Sequence, residues 1–437
     1  RLVRKWEPVI ESKNAPEIRD IHAKRVMARL IENTVNDQES RAVATRMGML
    51  TEMAPSTSTA SVQNFDPVLI AMTRRAIPQL IAFDVLGVQP MTAPSGLIFA
   101  LKARYEKGST ESREALFHEA EANYSGTGDW DNINNINILD DNENKTGSAF
   151  EKALGEMLST DDPTSPGKIK RMGLTIERVN VYAKTRKLNA QYSIELAQDL
   201  RAVHDLDANT EMSDILSREI IAEENREVFR KMYNVAKIGA QDCKQKGTFN
   251  LDVDADGRWM VEKFKGLLFQ IEKEANTIAF ETKRGRGNFI ICTTNVASVL
   301  QMTGFLDTSE VSKRGDLIVD PTVNTFAGVL HGRYRVYVDP YAFGNFNFIL
   351  IGYKGASSLD AGMYYCPYVG LQYFEARDID NFQPIIGFQT RYGLAQNPLA
   401  LDLPDGTKIP EEQQWKARTN SFYRIFEVKG LEAIDVK

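Results

Sequence analysis

Asp252, Asp254 and Asp256 alternate in the stretch "DVDADGRWMVEK" and are followed at once by Gly257. Oxygen ligands at positions 1, 3 and 5 with glycine at 6 are how a helix–loop–helix calcium site begins. Such a site also needs a bidentate carboxylate at position 12. Counted from Asp252, that position is Lys263, and Glu262 sits at 11. One residue along a helix is a rotation of about 100°, so Glu262 points away from a cation held by the aspartates. Lys263 repels it. Residues 246–251 read as turn and extended chain, not as the first helix of a calcium-binding pair. A second reading covers every residue: the carboxylates precede a helix starting near Trp259, where they cap free N–H groups and meet the positive dipole end. The three aspartates stand as weak metal candidates, and no cofactor is expected.

Other chemistry is thinner still. "TKRGRGNF" (282–289) sets two glycines beside basic residues but lacks the full phosphate-loop spacing and its Lys-Ser/Thr pair, so it reads as a turn. The four histidines, His22, His118, His204 and His331, form no zinc-protease pair. No serine lies in a G-x-S-x-G elbow. Cys243, Cys292 and Cys366 are scattered and odd in number, which gives neither a disulfide framework nor paired metal-ligand spacing. Cys292 and Cys366 fall in apolar strand patterns, where the thiol acts as a small hydrophobe. Tyr364, Tyr365, Tyr368 and Tyr373 have strand spacing and read as core or interface before they read as a base-stacking platform. No enzyme is expected.

Composition narrows the class. The chain has 437 residues, 43% hydrophobic and 26% charged, the balance of a globular protein of two or three domains. A formal net charge of −6 gives little support to dedicated nucleic-acid binding. No apolar run approaches the length that crosses a bilayer.

The elements follow from periodicity. "NAPEIRDIHAKRVMARLIENTV" places Ile18, Ile21, Val26, Leu30 and Ile31 on one helical face, with Asn14 as the cap. A lone amphipathic helix cannot bury its stripe, so this arm must dock on its own chain or on another. "MAPSTSTASVQ" (53–63) is a linker by composition. "GLIFALKARY" (96–105) and "GLTIERVNVYAKTRKLNAQY" (173–192) are strands that can pair as a long ribbon. Between them, ten of the eighteen residues in "DWDNINNINILDDNENKT" are Asn or Asp, which argues for exposed loop or edge structure. A two-stranded ribbon is marginal alone in water, a first hint of assembly. Apolar spacing predicts a long helix from Asp207 to Gly239 and a second from Trp259 to Phe280. "NFIICT", "RYRVYVD", "FNFILIGY", "GMYYCPYVGLQYF", "PIIGFQTRYGL" and "FYRIFEVKG" favour mostly antiparallel β-structure, so the fold class is α+β.

Several stretches, in order, resemble the major capsid proteins of T-even-type tailed bacteriophages, members of the Hong Kong 97 phage capsid fold. They are "RRAIPQLIAFDVLGVQPM" (74–91), "YSIELAQDLRAVHDLDA" (192–208), "RWMVEKFKGLLFQIEKEA" (258–275), "FAGVLHGRYRVYVD" (326–339), "GYKGASSLDAGMYYCPYV" (352–369) and "FQPIIGFQTRYGLAQNP" (382–398). The resemblance implies an N-terminal arm over 1–65 and an extended loop over 96–192 with a polar insertion at 106–172. It implies a peripheral domain from 66–95, 193–258 and 382–437, carrying a long spine helix, and an axial domain over 259–381.

It further implies a subunit that tiles an icosahedral or prolate head around packaged double-stranded DNA, through hexameric capsomers. Its partners would be a pentameric vertex paralogue, scaffold, prohead protease, portal and decoration proteins, with non-specific DNA contact and no membrane. Relatives lose a leading segment after a Leu/Ile-x-Glu pattern. Leu50, Thr51 and Glu52 match it, and Met53 departs from the small residue expected next. Removal of 1–52 is therefore an expectation, for a form that is either uncut or omits the cut. Alternatives are a pentamer-forming paralogue and a bacterial nanocompartment shell of the same fold. A metal-dependent cytosolic enzyme built on Asp252, Asp254 and Asp256 is the remote one.

Overall fold

The computed structural model describes residues 2–10, 20–46, 80–105, 171–255, 257, 259–307, 325–339, 346–378, 383–400 and 414–431, with a few isolated positions between. The described helices are α1 (Leu2–Ile10), α2 (Ile21–Arg46), α3 (Ala82–Val85), α4 (Ile194–His204), α5 (Ala208–Val235), α6 (Met260–Thr282) and α7 (Thr294–Met302). The first strands are β1 (Gly87–Val88), β2 (Ser95–Tyr105), β3 (Met172–Tyr182), β4 (Lys184–Gln191), β5 (Ala236–Ile238) and β6 (Thr248–Asn250). Then come β7 (Phe289–Cys292), β8 (Leu306–Asp307), β9 (Thr325–Leu330), β10 (Tyr334–Val338) and β11 (Phe348–Gly352). The last are β12 (Met363–Arg377), β13 (Pro384–Gln396) and β14 (Asn420–Lys429). The fold is α+β.

The N-terminal helices dock on their own chain. Val26, Leu30 and Ile31 of the expected stripe are buried, and with Trp6, Ile10, Met27 and Ala28 they join the principal core. Asn33 fixes the register, its amide donating to the carbonyls of Met91 and Tyr368 at 2.8 and 2.9 Å. Among the described residues, Asp20 supplies a cap at the start of α2, accepting the His22 N–H at 2.9 Å. Asn14, His118 and the linker at 53–63 lie outside the described residues.

Three sheets follow. One runs β1-β12-β13-β4, with β1 parallel to β12 and antiparallel pairing elsewhere. The larger runs β5-β14-β11-β7-β10-β9-β8, with β6 also on β14, and mixes parallel and antiparallel pairs. Its central strands are apolar on both faces, as strands covered on both sides must be. Phe289 and Ile291 of β7 enter the core shared with α5, while Ile290 and Cys292 enter the core under α6. Leu350 of β11 faces the first core, and Ile349 and Ile351 face the second.

The third sheet is the two-stranded ribbon β2–β3, antiparallel and in register from Ser95↔Tyr182 to Tyr105↔Met172. The sequence suggested one strand to residue 192. Instead the chain breaks at Ala183, whose N–H donates to the Pro94 carbonyl at 2.9 Å. β4 then leaves the ribbon to pair with β13. The ribbon therefore takes the whole of the first predicted strand but only the first half of the second.

Helix α5 spans 28 residues, about 42 Å at 1.5 Å per residue. Asp207 caps it through the Asn209 N–H and the Thr210 hydroxyl. It stops at Val235 rather than continuing to Gly239, because Ala236–Ile238 find backbone partners on β14 as strand β5. Sheet pairing overrides helix propensity there. No described helix is long and apolar enough to cross a membrane.

Candidate assembly surface

The residues singled out for chemistry do other work. Asp254 stitches its own loop, one carboxylate oxygen accepting the Asn250 N–H at 2.9 Å and the other the Lys244 N–H at 3.2 Å. Asp252 pairs with Lys263 at 2.6 Å, so the position-12 lysine neutralises the carboxylate a calcium ion would need. The expectation that these aspartates cap the following helix is corrected. Trp259 occupies the cap position, and Glu262 accepts its N–H at 3.4 Å. Asp256, and the Leu50, Glu52 and Met53 of the cleavage pattern, lie outside the described residues. The described residues hold no group of three or more His, Cys, Asp or Glu side chains able to hold a metal.

Burial pushes the thiols of Cys292 and Cys366 up to about 12, which keeps them protonated and unreactive. Tyr364 and Tyr365 are buried core residues. Arg284 and Arg286 of the glycine turn are spent on ion pairs with Asp360 and Glu272.

The ribbon is where the surface becomes unusual. Directly opposed residues of an antiparallel pair share a face. On one face, Lys102 and Arg104 pair with Glu177, each at 3.1 Å, and all three are buried. The other face carries Leu97, Phe99 and Leu101 on β2 with Met172, Leu174 and Ile176 on β3. These six side chains are 49 to 69% exposed. Covering the exposed half of each is worth on the order of 1 kcal/mol per side chain. A contiguous apolar face on a two-stranded ribbon marks a protein–protein contact.

A charged joint anchors the ribbon root. Arg186 of β4 donates to Tyr392 Oη at 2.6 Å, to Glu223 at 2.8 Å and to Glu227 at 2.5 Å. Burial raises the Glu227 carboxyl, but hydrogen bonds from Lys231, Tyr392 and Arg186 outweigh it and hold the group at about 2. One turn away, burial pushes Glu224 up to about 7, against the opposing hydrogen bonds of Tyr365 and Thr390. Between them on α5, Arg226 grips both oxygens of the fully buried Asp339 at 2.9 and 2.7 Å. Tyr233 adds its hydroxyl at 2.9 Å. These joints lock the long helix to both large sheets.

Sequence reasoning missed other exposed apolar groups. Ile194, Leu196 and Val203 of α4 face solvent, as do Phe269 and Phe280 on the outer side of α6. Met260, at the start of α6, is also exposed. The signal was present as apolar positions outside the buried stripe of α6 and along the whole of α4, which a search for core stripes passes over.

Comparison with known proteins gives this surface its context. The family model described as Major capsid protein Gp23 matches residues 62–428. The major capsid protein of Serratia phage KSP90 is 40% identical, over 98% of this chain and 97% of its own. That of Enterobacteria phage T4 is 35% identical, over 91% and 92%. The T4 capsid vertex protein is more distant, at 24% over 78% and 88%. Among solved structures, the capsid of Myoviridae phage XM1 aligns with a TM-score of 0.41 and 9% identity, over 80% of this chain and 92% of that one. With a matched family model and relatives this similar across nearly its whole length, the chain belongs to the Gp23 family of phage major capsid proteins.

Proposed function

We propose that the β2–β3 ribbon is the clasp by which each copy of this major capsid protein holds a neighbour in the phage head shell. The observation that carries the reading is the six-residue apolar face left open on a two-stranded element. In this reading the architecture is Hong Kong 97-like: the ribbon is the extended loop, α5 the spine helix of the peripheral domain, and 259–381 the axial domain. Copies form hexameric capsomers, and a vertex paralogue supplies pentamers. Scaffold, prohead protease, portal and decoration proteins act on the same shell. Each contact is modest, and repetition around a closed shell makes the whole durable. The chain performs no catalysis, and its acidic total leaves enclosed DNA weakly held.

Cleavage after Glu52 remains part of this proposal. Trp6, Ile10, Val26, Met27, Leu30 and Ile31 sit in the principal core, so cutting there must be accompanied by repacking of that core. A virion subunit starting at Met53 supports it, and infectious particles with an intact arm rule it out. The assembly reading is tested by light scattering and negative-stain microscopy of the purified chain co-expressed with its head partners. Shells, tubes or hexameric rings are expected. A monomer under every such condition, binding a metal ion tightly, refutes it.

A further inference from the structure

Helix α4 is well made yet left uncovered by its own chain. Ser193 caps it, its Oγ accepting the Leu196 N–H at 3.2 Å, and Asp205 ends it in the left-handed conformation. None of its eleven residues is buried. Isolated helices shorter than about 12–15 residues are marginal in water, so α4 gains from a surface supplied from outside.

Its face says what kind of surface. Leu196, Leu200 and Val203 form one row at i, i+4 and i+7, and Ile194, two positions before Leu196, lies on the other side of the helix. Leu200 is half-buried, while Ile194, Leu196 and Val203 are 47, 48 and 73% exposed. One residue round the helix, Glu195 and Asp199 run alongside that row, four positions apart. Like charges at that spacing repel, and neither carboxylate has an ion-pair partner among the described residues. The face therefore asks for an apolar strip bearing a cation.

The open face of the ribbon is such a strip. Arg178 lies directly opposite Phe99, and no acidic residue shares that face. Leu97 to Leu101 covers about 13 Å of strand, and Leu196 to Val203 about 10 Å of helix. The eight residues of β4, about 26 Å, separate the ribbon root from α4 in the same chain. We propose that α4 is the receptor for the ribbon of a second copy, apolar row against apolar row, with Arg178 reaching Glu195 and Asp199. The inference rests on the ribbon reading above and names its partner. A donor on one side and a receptor on the other make a heterologous contact, the kind that closes into rings and shells.

A charge swap in the full-length chain tests it, scored as the assembled fraction by sedimentation and negative-stain microscopy. Variants are compared where dissociated subunits keep wild-type circular dichroism and thermal midpoint. R178E lowers the assembled fraction about tenfold or more, because like charges face each other across the contact. E195K/D199K does the same, and the triple variant returns to within about twofold of wild type. If R178E fails, the triple variant fails with it and E195K/D199K assembles normally, α4 is not the receptor although the ribbon reading stands. If L101D/I176D assembles normally, the ribbon reading falls and this inference falls with it.

Discussion

Glu224 sets a pH dependence that can be worked out in advance. It lies nine-tenths or more buried on α5, beside a cavity of about 30 Å³ lined by Leu30, Phe83, Ile220, Tyr365 and Thr390. Tyr365 donates to its Oε2 at 3.1 Å. Burial lifts its carboxyl from the ordinary 4.5 to about 7. The folded state thus holds this proton more tightly than the unfolded chain. The stability it contributes is fully present below about pH 4.5 and is lost as pH rises through about 7. At 1.36 kcal/mol per pH unit, the gap is about 3 kcal/mol. The groups facing it do not titrate in that window. Glu227 is ionised at all pH values above about 2, Arg186 stays charged, and burial raises the phenols of Tyr365 and Tyr392. Glutamine keeps the acceptor for Tyr365 and removes the charge. E224Q should therefore unfold at a higher urea midpoint than wild type at pH 8.5, by about 2–3 kcal/mol, and match it at pH 4 or below. Urea titrations of dissociated subunits at both pH values measure this. An equal difference between the two proteins at both pH values refutes the reasoning.

Further outcomes follow from other parts of the molecule. R226M leaves the fully buried Asp339 with Tyr233 and the Tyr341 N–H as its remaining donors, and should cost about 3–5 kcal/mol by urea unfolding. R226M/D339L should recover most of that loss, because the uncompensated charge is gone. D254A removes the acceptor for two backbone N–H groups and should lower stability by about 1–2 kcal/mol. Millimolar calcium should leave the wild-type thermal midpoint unchanged, since Lys263 already occupies Asp252. L101D should leave the thermal midpoint of dissociated subunits nearly unchanged while abolishing shells in negative stain, because Leu101 is 61% exposed in the single chain.

How much of this was legible depended on whether the deciding partner was local. The Asp207 cap, the buried stripe of α5 and the paired alternation of β2 and β3 each announce themselves within a few residues, and each formed. Where the deciding partner lay far along the chain, local pattern misled. Ala236–Ile238 continue a helical stripe in sequence, yet β14, nearly two hundred residues later, claims their backbone. The strand through 173–192 reads as continuous, yet β13 captures its second half. Arg226 gave no sign of Asp339, nor Glu224 of Tyr365, because an ion pair or hydrogen bond between distant residues leaves no periodicity to read.

The assembly surface was hidden for a different reason. In "GLIFALKARY" the residues that face the chain's own interior and those left exposed obey the same period of two. Ile98 and Ala100 are buried within the subunit, while Leu97, Phe99 and Leu101 alternate with them and are not. A strand apolar on both faces reads as the centre of a sheet, which is what β7 is and what β2 is not. Apolar alternation reports that both faces are destined to be covered and is silent on whose atoms cover them. As proposed above, another copy supplies the atoms for the face this chain leaves open. On that reading the ribbon's stability belongs to the shell: dissociated subunits should retain the two large sheets and their helices and lose the ordering of the ribbon.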